Sequence, residues 1–157
     1  MATINVLHVV AVASSLISLL ILLIALGSDY WATAGAFSQG LWNICDGTTC
    51  VKLQVSSVAL NTVRAFVLLA MITSVVACCC LCAGFWLKQV GSVSMAMMAA
   101  TANVVAGLFT MIGMSVFTGR SEQSVFFGWS FGFGWSCFPL FLICGGIAYT
   151  LKMDTSA

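Results

Sequence analysis

The sequence contains very little charge. Of its 157 residues, five are lysine or arginine and four are aspartate or glutamate, so 6% of the chain is charged. Soluble domains carry about a quarter charged residues, and this scarcity excludes a freely soluble globular protein. The net charge of +1 also excludes a basic nucleic-acid-binding surface and gives no field to steer a charged ligand. Proline is equally scarce, with one residue in the chain, so little in the sequence interrupts a long helix.

Hydrophobic residues, in contrast, make up 62% of the chain. A charged side chain at the centre of a bilayer costs at least about 2.5 kcal/mol, so membrane spans exclude charge. Each charge-free stretch here is long enough for the roughly 20 apolar residues that a spanning helix needs; the stretches are residues 1–28, 65–87, 89–119 and 123–151. We therefore predict an all-α membrane protein with a single domain over residues 1–157. Its four-helix transmembrane bundle is expected to have helices at about 4–27, 63–87, 92–117 and 129–151.

The segment from about residue 28 to residue 61 is the one connection long enough to fold outside the membrane. Residues 51–56 alternate apolar and polar side chains, which is the period of a half-buried strand. The Asp46-Gly47 pair before them favours a tight turn between two strands. We therefore predict that this first loop forms a small antiparallel β-sheet on the membrane surface.

Two cysteines, Cys45 and Cys50, lie close together in the polar sequence of this loop. Such a pair favours a disulfide, and disulfides persist on the oxidising side of a membrane. The sheet is therefore expected to be extracellular and stapled by this bond, with Trp31 and Trp42 anchoring it against the helix ends. Both termini are then cytosolic in a multi-pass protein of the plasma membrane. The first apolar run lacks a basic n-region and is expected to be retained rather than cleaved as a signal peptide.

The third and fourth apolar stretches contain residues typical of helix packing. Membrane helices associate through close backbone approach and interhelical hydrogen bonds. We expect the third helix to pack through small residues such as Gly107, with Asn103 donating a hydrogen bond across the bundle; a substrate-binding role is the alternative for Asn103. In the fourth stretch, Gly128 and Gly132 form a small-xxx-small packing pair, and Pro139 predicts a kink.

Four cysteines, Cys78, Cys79, Cys80 and Cys82, cluster at the inner end of the predicted second helix. They are interpreted either as small packing residues or as sites of reversible palmitoylation. A third interpretation is redox chemistry, because Cys79 and Cys82 have the spacing of a dithiol motif. Cys79 follows Arg64 by fifteen residues, or roughly 22 Å along a helix, so the dithiol and the loop cysteines would face opposite leaflets.

The first loop carries a motif that resembles a known family. A tryptophan, then Gly-Leu-Trp-x-x-Cys and a second cysteine, on a four-pass chain of this length, is similar to the claudin and peripheral-myelin/epithelial-membrane-protein superfamily. The run of residues 36–42 and the run of residues 62–66 most resemble its lens fiber membrane intrinsic protein branch. The positions that match the family motif are Trp31, Gly40, Leu41, Trp42, Cys45, Cys50 and Arg64.

The resemblance implies a non-enzymatic structural protein of cell junctions and cell adhesion, located at cell–cell contacts. It is expected to act through its first extracellular loop and through lateral helix packing. Its expected partners are the lipid bilayer and other membrane proteins, or further copies of itself, in cis or in trans. No cofactor, metal, nucleic acid or small-molecule substrate is expected. The alternative is a regulatory or trafficking subunit for a channel or adhesion receptor, and a remote alternative is a membrane thiol oxidoreductase.

No predicted span carries an acidic or basic residue in its interior. Ion-coupled transporters and proton pumps place ionisable groups along their pathways. The sequence therefore weighs against both classes.

Overall fold

A computed structural model of the chain describes residues 6–28, 30–46, 49–52, 58–84, 89–90, 93–120 and 126–156. Within these ranges, four helices are long and apolar enough to cross a membrane. They are α1 (Val6–Gly27), α2 (Val58–Ala83), α3 (Met95–Arg120) and α4 (Trp129–Ser156). The predicted four-helix membrane architecture is confirmed.

Each helix buries one face and exposes large apolar side chains on the other. On α2 one row of buried positions recurs every three or four residues, which is the spacing of one helix face; it consists of Leu60, Val63, Val67, Ala70, Ser74, Ala77 and Leu81. The opposite face exposes Ile72, Val75 and Val76. An outward face of large apolar side chains suits a lipid solvent, and small inward residues allow the helices to approach closely.

Each helix contacts its neighbours around a ring, α1 with α2 and α4, α2 with α3, and α3 with α4. The buried apolar side chains form two separate clusters. The sheet-side cluster contains Leu22, Ala25, Leu26, Trp31, Ala32, Leu41, Leu60, Val63, Val67, Ala70, Ala106, Met114, Phe117, Cys137 and Phe141. The distal cluster contains Ala11, Cys80, Leu81, Ala99, Ala100, Ala148 and Leu151.

Short strands complete the fold: β1 (Ala32–Ala34), β2 (Phe37–Gln39), β3 (Asn43–Asp46), β4 (Thr49–Lys52), β5 (Gln89–Val90), β6 (Val93–Ser94) and β7 (Phe126–Phe127). The first four form the antiparallel sheet predicted for the first loop. Gly35, in the two-residue turn between β1 and β2, has φ of +62°, a conformation that favours glycine. Residues 53–57 and Gly47, to which the strand and turn predictions extended, lie outside the described residues.

Two features of the strands differ from the sequence predictions. β7 lies in the connection between α3 and α4 and pairs with β1. The described strands of the main sheet therefore have the order β4-β3-β2-β1-β7. β5 pairs with β6 at the opposite end of the bundle, where no strand was predicted. The main sheet therefore joins both loops on its side of the membrane bundle.

Candidate functional site

Trp31 fixes the sheet to three helices. Its side chain is fully buried, and its indole Nε1 donates to the Ala25 carbonyl oxygen at 2.6 Å. The last four carbonyls of a helix have no partner within the helix, so this bond satisfies one of them at the end of α1. The Trp31 ring meets Phe117 of α3 edge-on, with 5.1 Å between centroids. Its carbonyl accepts from the Gly128 amide at 3.0 Å, just before α4.

Trp42 and Arg64 form a second connection. The indole Nε1 of Trp42 donates to the Leu26 carbonyl oxygen at 3.1 Å, again at the end of α1. Arg64 of α2 donates through Nε to the Leu41 carbonyl at 2.7 Å and through Nη1 to Asn61 Oδ1 at 3.1 Å. Its guanidinium carbon lies 5.1 Å from the centre of the Trp42 ring, within cation–π range.

The family-motif residues other than the two cysteines therefore lie close together. Leu41 is fully buried, and the Gly40 amide donates to the Asn43 carbonyl at 3.0 Å to close the turn between β2 and β3. We call the bonds of Trp31, Trp42 and Arg64 to the helix ends and to Leu41 the sheet clamp. The sequence identified these three residues but not Asn61 as a partner of Arg64. The one available signal was that Asn61 precedes Arg64 by three residues, about one helical turn.

The disulfide lies at the far end of the sheet. Cys45 and Cys50 are opposite each other on β3 and β4, with their Cα atoms 4.1 Å apart, and they are bonded. The predicted pairing is confirmed. Because opposite residues on paired strands share a face, the bond lies on one side of the sheet, with Cys45 buried and Cys50 exposed.

The other face of the sheet carries an apolar groove. Strand pairing places Ile44 opposite Val51, with Phe37 on the same face of β2. Phe37 is 49% exposed and Val51 is 56% exposed. The groove has a volume of about 390 Å³, and it is lined by Phe37, Ile44, Cys45, Asp46, Thr49 and Val51. It offers an apolar contact surface with one carboxylate at its edge.

The cysteines of the α2 cluster differ in burial. Cys78 and Cys80 are buried, and the Cys78 sulfur lies 3.3 Å from Ser15 Oγ. Cys79 is exposed and Cys82 is intermediate. Burial thus supports the packing interpretation for the first two and leaves the acylation interpretation to the second two.

The predicted packing residues differ in their surroundings. Gly107 lies against α4, where an added Cβ would be 3.3 Å from Phe141 Cβ. A Cβ at Gly128 would collide with the Tyr30 carbonyl oxygen. A Cβ at Gly132 would meet nothing within 4 Å among the described residues, so the packing role of Gly132 stays a prediction. Pro139 lies within α4 on an exposed position, and its kink remains a prediction.

Sequence reasoning missed two other glycines of α4. An added Cβ at Gly134 would lie 2.6 Å from Met114 Sδ, and one at Gly145 would lie 2.7 Å from Val104 Cγ2. Both positions therefore bring α4 close to α3. That both residues are glycines was the available signal of close packing, but the sequence did not reveal which face of α4 points inward.

Asn103 is fully buried in α3. Within the described part of the chain, however, neither its side-chain nitrogen nor its oxygen has a hydrogen-bond partner. The expected hydrogen bond across the bundle is therefore not formed with another described residue. Over the same residues, no group of three or more His, Cys, Asp or Glu side chains is placed to hold a metal ion.

Comparison with known proteins identifies the family of the chain. The model of the PMP-22/EMP/MP20/Claudin family matches residues 3–148. Epithelial membrane protein 2 of Danio rerio is 25% identical, over 86% of this chain and 89% of the relative. Lens fiber membrane intrinsic protein of Bos taurus is 33% identical, over 74% of each chain. The chain belongs to the PMP-22/EMP/MP20/Claudin family.

Proposed function

We propose that this chain is a structural membrane protein of cell contacts, acting through its first-loop sheet and through lateral packing of its helices. The observation that carries the proposal is the sheet clamp. Trp31 and Trp42 bond to the end of α1, and Arg64 of α2 bonds to the Leu41 carbonyl. A surface that is held in place before contact loses less conformational entropy when it binds a partner.

The apolar groove supports a protein partner for this surface. Exposed Phe37 and Val51 are apolar, and apolar side chains at the centre of a contact supply much of its free energy. We infer that the groove binds a second copy of the chain or another membrane protein, in the same membrane or in an apposed one.

The disulfide supports the orientation of the molecule. Disulfides persist in oxidising compartments, so the sheet is proposed to face the extracellular space of the plasma membrane. The chain crosses the membrane an even number of times if all four helices span it, and both termini are then cytosolic.

The proposal involves no catalytic step. A thiol oxidoreductase would have to bring Cys79 and Cys82 to the cystine of the sheet. Arg64 lies at the sheet end of α2, and Cys79 follows it by fifteen residues, which is roughly 22 Å of helix. That distance supports a structural role for the cystine rather than exchange with these thiols.

The test is localisation of the tagged full-length protein in cells that lack junctions. Expressing and non-expressing cells are mixed, and the proposal predicts enrichment only at borders where both cells express the protein. Val51→Lys should abolish the enrichment because it places a charge in the groove, whereas Val51→Ile should preserve it. Surface biotinylation of each variant confirms equal delivery.

A uniform surface signal for the wild-type protein would contradict contact between apposed cells. If one large membrane protein then co-purified in a fixed ratio and was lost with Val51→Lys, the groove would belong to a regulatory subunit instead. Replacement of Cys45 by Ser should reduce surface delivery, because a bond closing a six-residue ring stabilises the sheet by roughly 2 kcal/mol.

A further inference from the structure

A layer of buried polar side chains separates the two apolar clusters of the bundle. Each helix contributes residues to both clusters. Between them, each helix has at least one buried residue with a polar or sulfur-containing side chain. We call this set the central polar layer; it contains Ser15, Ser18, Ser74, Cys78, Asn103 and Cys144.

Two pairs in this layer connect α1 to its neighbours. Ser15 Oγ lies 3.3 Å from Cys78 Sγ on α2, and Ser18 Oγ lies 3.3 Å from Cys144 Sγ on α4. The Ser18 hydroxyl also donates to the Ser14 carbonyl at 2.9 Å. The α1 side of the layer therefore consists of polar groups that already have partners.

The α2 and α3 side of the layer differs. Ser74 and Asn103 are both 0% exposed, and the Ser74 hydroxyl oxygen and both Asn103 amide atoms have no hydrogen-bond partner among the described residues. Buried polar atoms are almost always hydrogen-bonded, because an unpaired one loses its bonds to water without replacement. Three such atoms on two adjacent helices require an explanation.

Helix register places these two residues at one depth. An added Cβ at Gly113 would lie 3.3 Å from Val67 Cγ2 and 3.7 Å from the Val63 carbonyl oxygen, so Gly113 of α3 faces this part of α2. Asn103 precedes Gly113 by ten residues, and Ser74 follows Val67 by seven and Val63 by eleven. Since α2 and α3 run in opposite directions, Asn103 and Ser74 lie at about the same depth along the bundle.

The α4 contacts place Asn103 at the depth of Cys144, the partner of Ser18. An added Cβ at Gly145 would lie 3.2 Å from the Ala100 carbonyl oxygen and 2.7 Å from Val104 Cγ2. Asn103 of α3 and Cys144 of α4 therefore lie beside this contact.

We propose that the central polar layer is a binding site for ordered water, held between the Asn103 amide and the Ser74 hydroxyl. Water fits this chemistry because the amide supplies two donors and an acceptor, and the hydroxyl supplies one donor and two lone pairs. The layer contains no charged side chain that would favour an ion. Buried water of this kind makes two to four hydrogen bonds with polar groups that lack other partners.

The direct test is solid-state NMR of the full-length protein in bilayers of deuterated lipid. The side-chain amide of Asn103 is assigned without substitution, because Ala102-Asn103 is the one Ala-Asn pair in the sequence, and labelled alanine and asparagine identify it. We expect magnetisation transfer from water to the Asn103 amide, as to the amide of exposed Asn61. Transfer to Asn61 with none to Asn103 would overturn the proposal.

Ser74→Ala tests whether the water is shared. This change should weaken the transfer to Asn103, because one of the groups that holds the water is lost. The control is Thr110→Val, which removes a buried hydroxyl of α3 that already donates to the Ala106 carbonyl at 2.8 Å. Equal transfer to Asn103 in wild type and Ser74→Ala would show that the two side chains do not hold the water together.

Discussion

The guanidinium of Arg64 lies over the ring of Trp42 while both side chains bond to backbone carbonyls, Arg64 to Leu41 and Trp42 to Leu26. Two elements that are distant in sequence, the first loop and the second helix, are thus connected at the membrane surface. A planar guanidinium performs both tasks, since it stacks on the ring and directs Nε to the carbonyl.

Replacement of Arg64 should therefore weaken the attachment of the sheet. We expect Arg64→Ala to lower the free energy of unfolding by about 2 kcal/mol, the size of a hydrogen bond from a charged donor together with a partly exposed cation–π contact. Arg64→Lys should recover only part of the loss. The measurement is the thermal unfolding midpoint of purified protein in detergent, with Lys52→Ala at the exposed end of β4 as the control.

The two tryptophans of the clamp should differ in sensitivity. Trp31→Phe removes the donor to the Ala25 carbonyl from a fully buried site, so we expect a loss of about 1–3 kcal/mol. Trp42→Phe removes a similar bond, but Trp42 is 38% exposed and water can replace the donor. Equal losses for the two variants in the same unfolding assay would contradict this account.

Gly128, just before α4, and Gly132, within α4, provide a matched pair. Gly128→Ala places a methyl group against the Tyr30 backbone carbonyl, so we expect reduced surface expression and a lower unfolding midpoint. Gly132→Ala places it where no described atom lies within 4 Å, so expression and midpoint should be unchanged. A greater effect at Gly132 would show that α4 is rotated relative to this structure.

The exposed cysteines of α2 are the expected acylation sites. Cys79 faces outward and Cys80 is buried, although the two are adjacent in sequence. Thioester-specific exchange labelling should therefore fall in Cys79→Ser and persist in Cys80→Ser. Labelling that is lost only in Cys80→Ser would contradict this difference in exposure.

The helices and the disulfide could be predicted because their signals are local. An apolar stretch of about 20 residues without charge indicates a membrane-spanning helix. Two cysteines close together in a polar loop indicate a disulfide. β7 could not be predicted, because Phe126 and Phe127 are too short a run to show alternation and their partners in β1 lie far away in sequence.

The inward face of α4 could not be predicted from the sequence either. In a soluble helix the polar face identifies the solvent side, but lipid leaves both faces apolar. Gly128 and Gly132 therefore appeared equivalent, although of the two only Gly128 lies against other described residues. The close contacts at Gly134 and Gly145 had no distinguishing pattern. The position of Asn103 near the middle of an apolar stretch predicted that its side chain is buried. It did not predict which groups surround the side-chain amide.

The central claim is that a cystine-locked sheet is clamped to the bundle on the extracellular side. Mass-spectrometric mapping of Cys45 and Cys50 in intact cells, with a membrane-impermeant thiol reagent, tests it most directly. We expect no modification before reduction, and modification of both residues after mild reduction from outside the cell. Modification without reductant, or only after the membrane is permeabilised, would contradict the account.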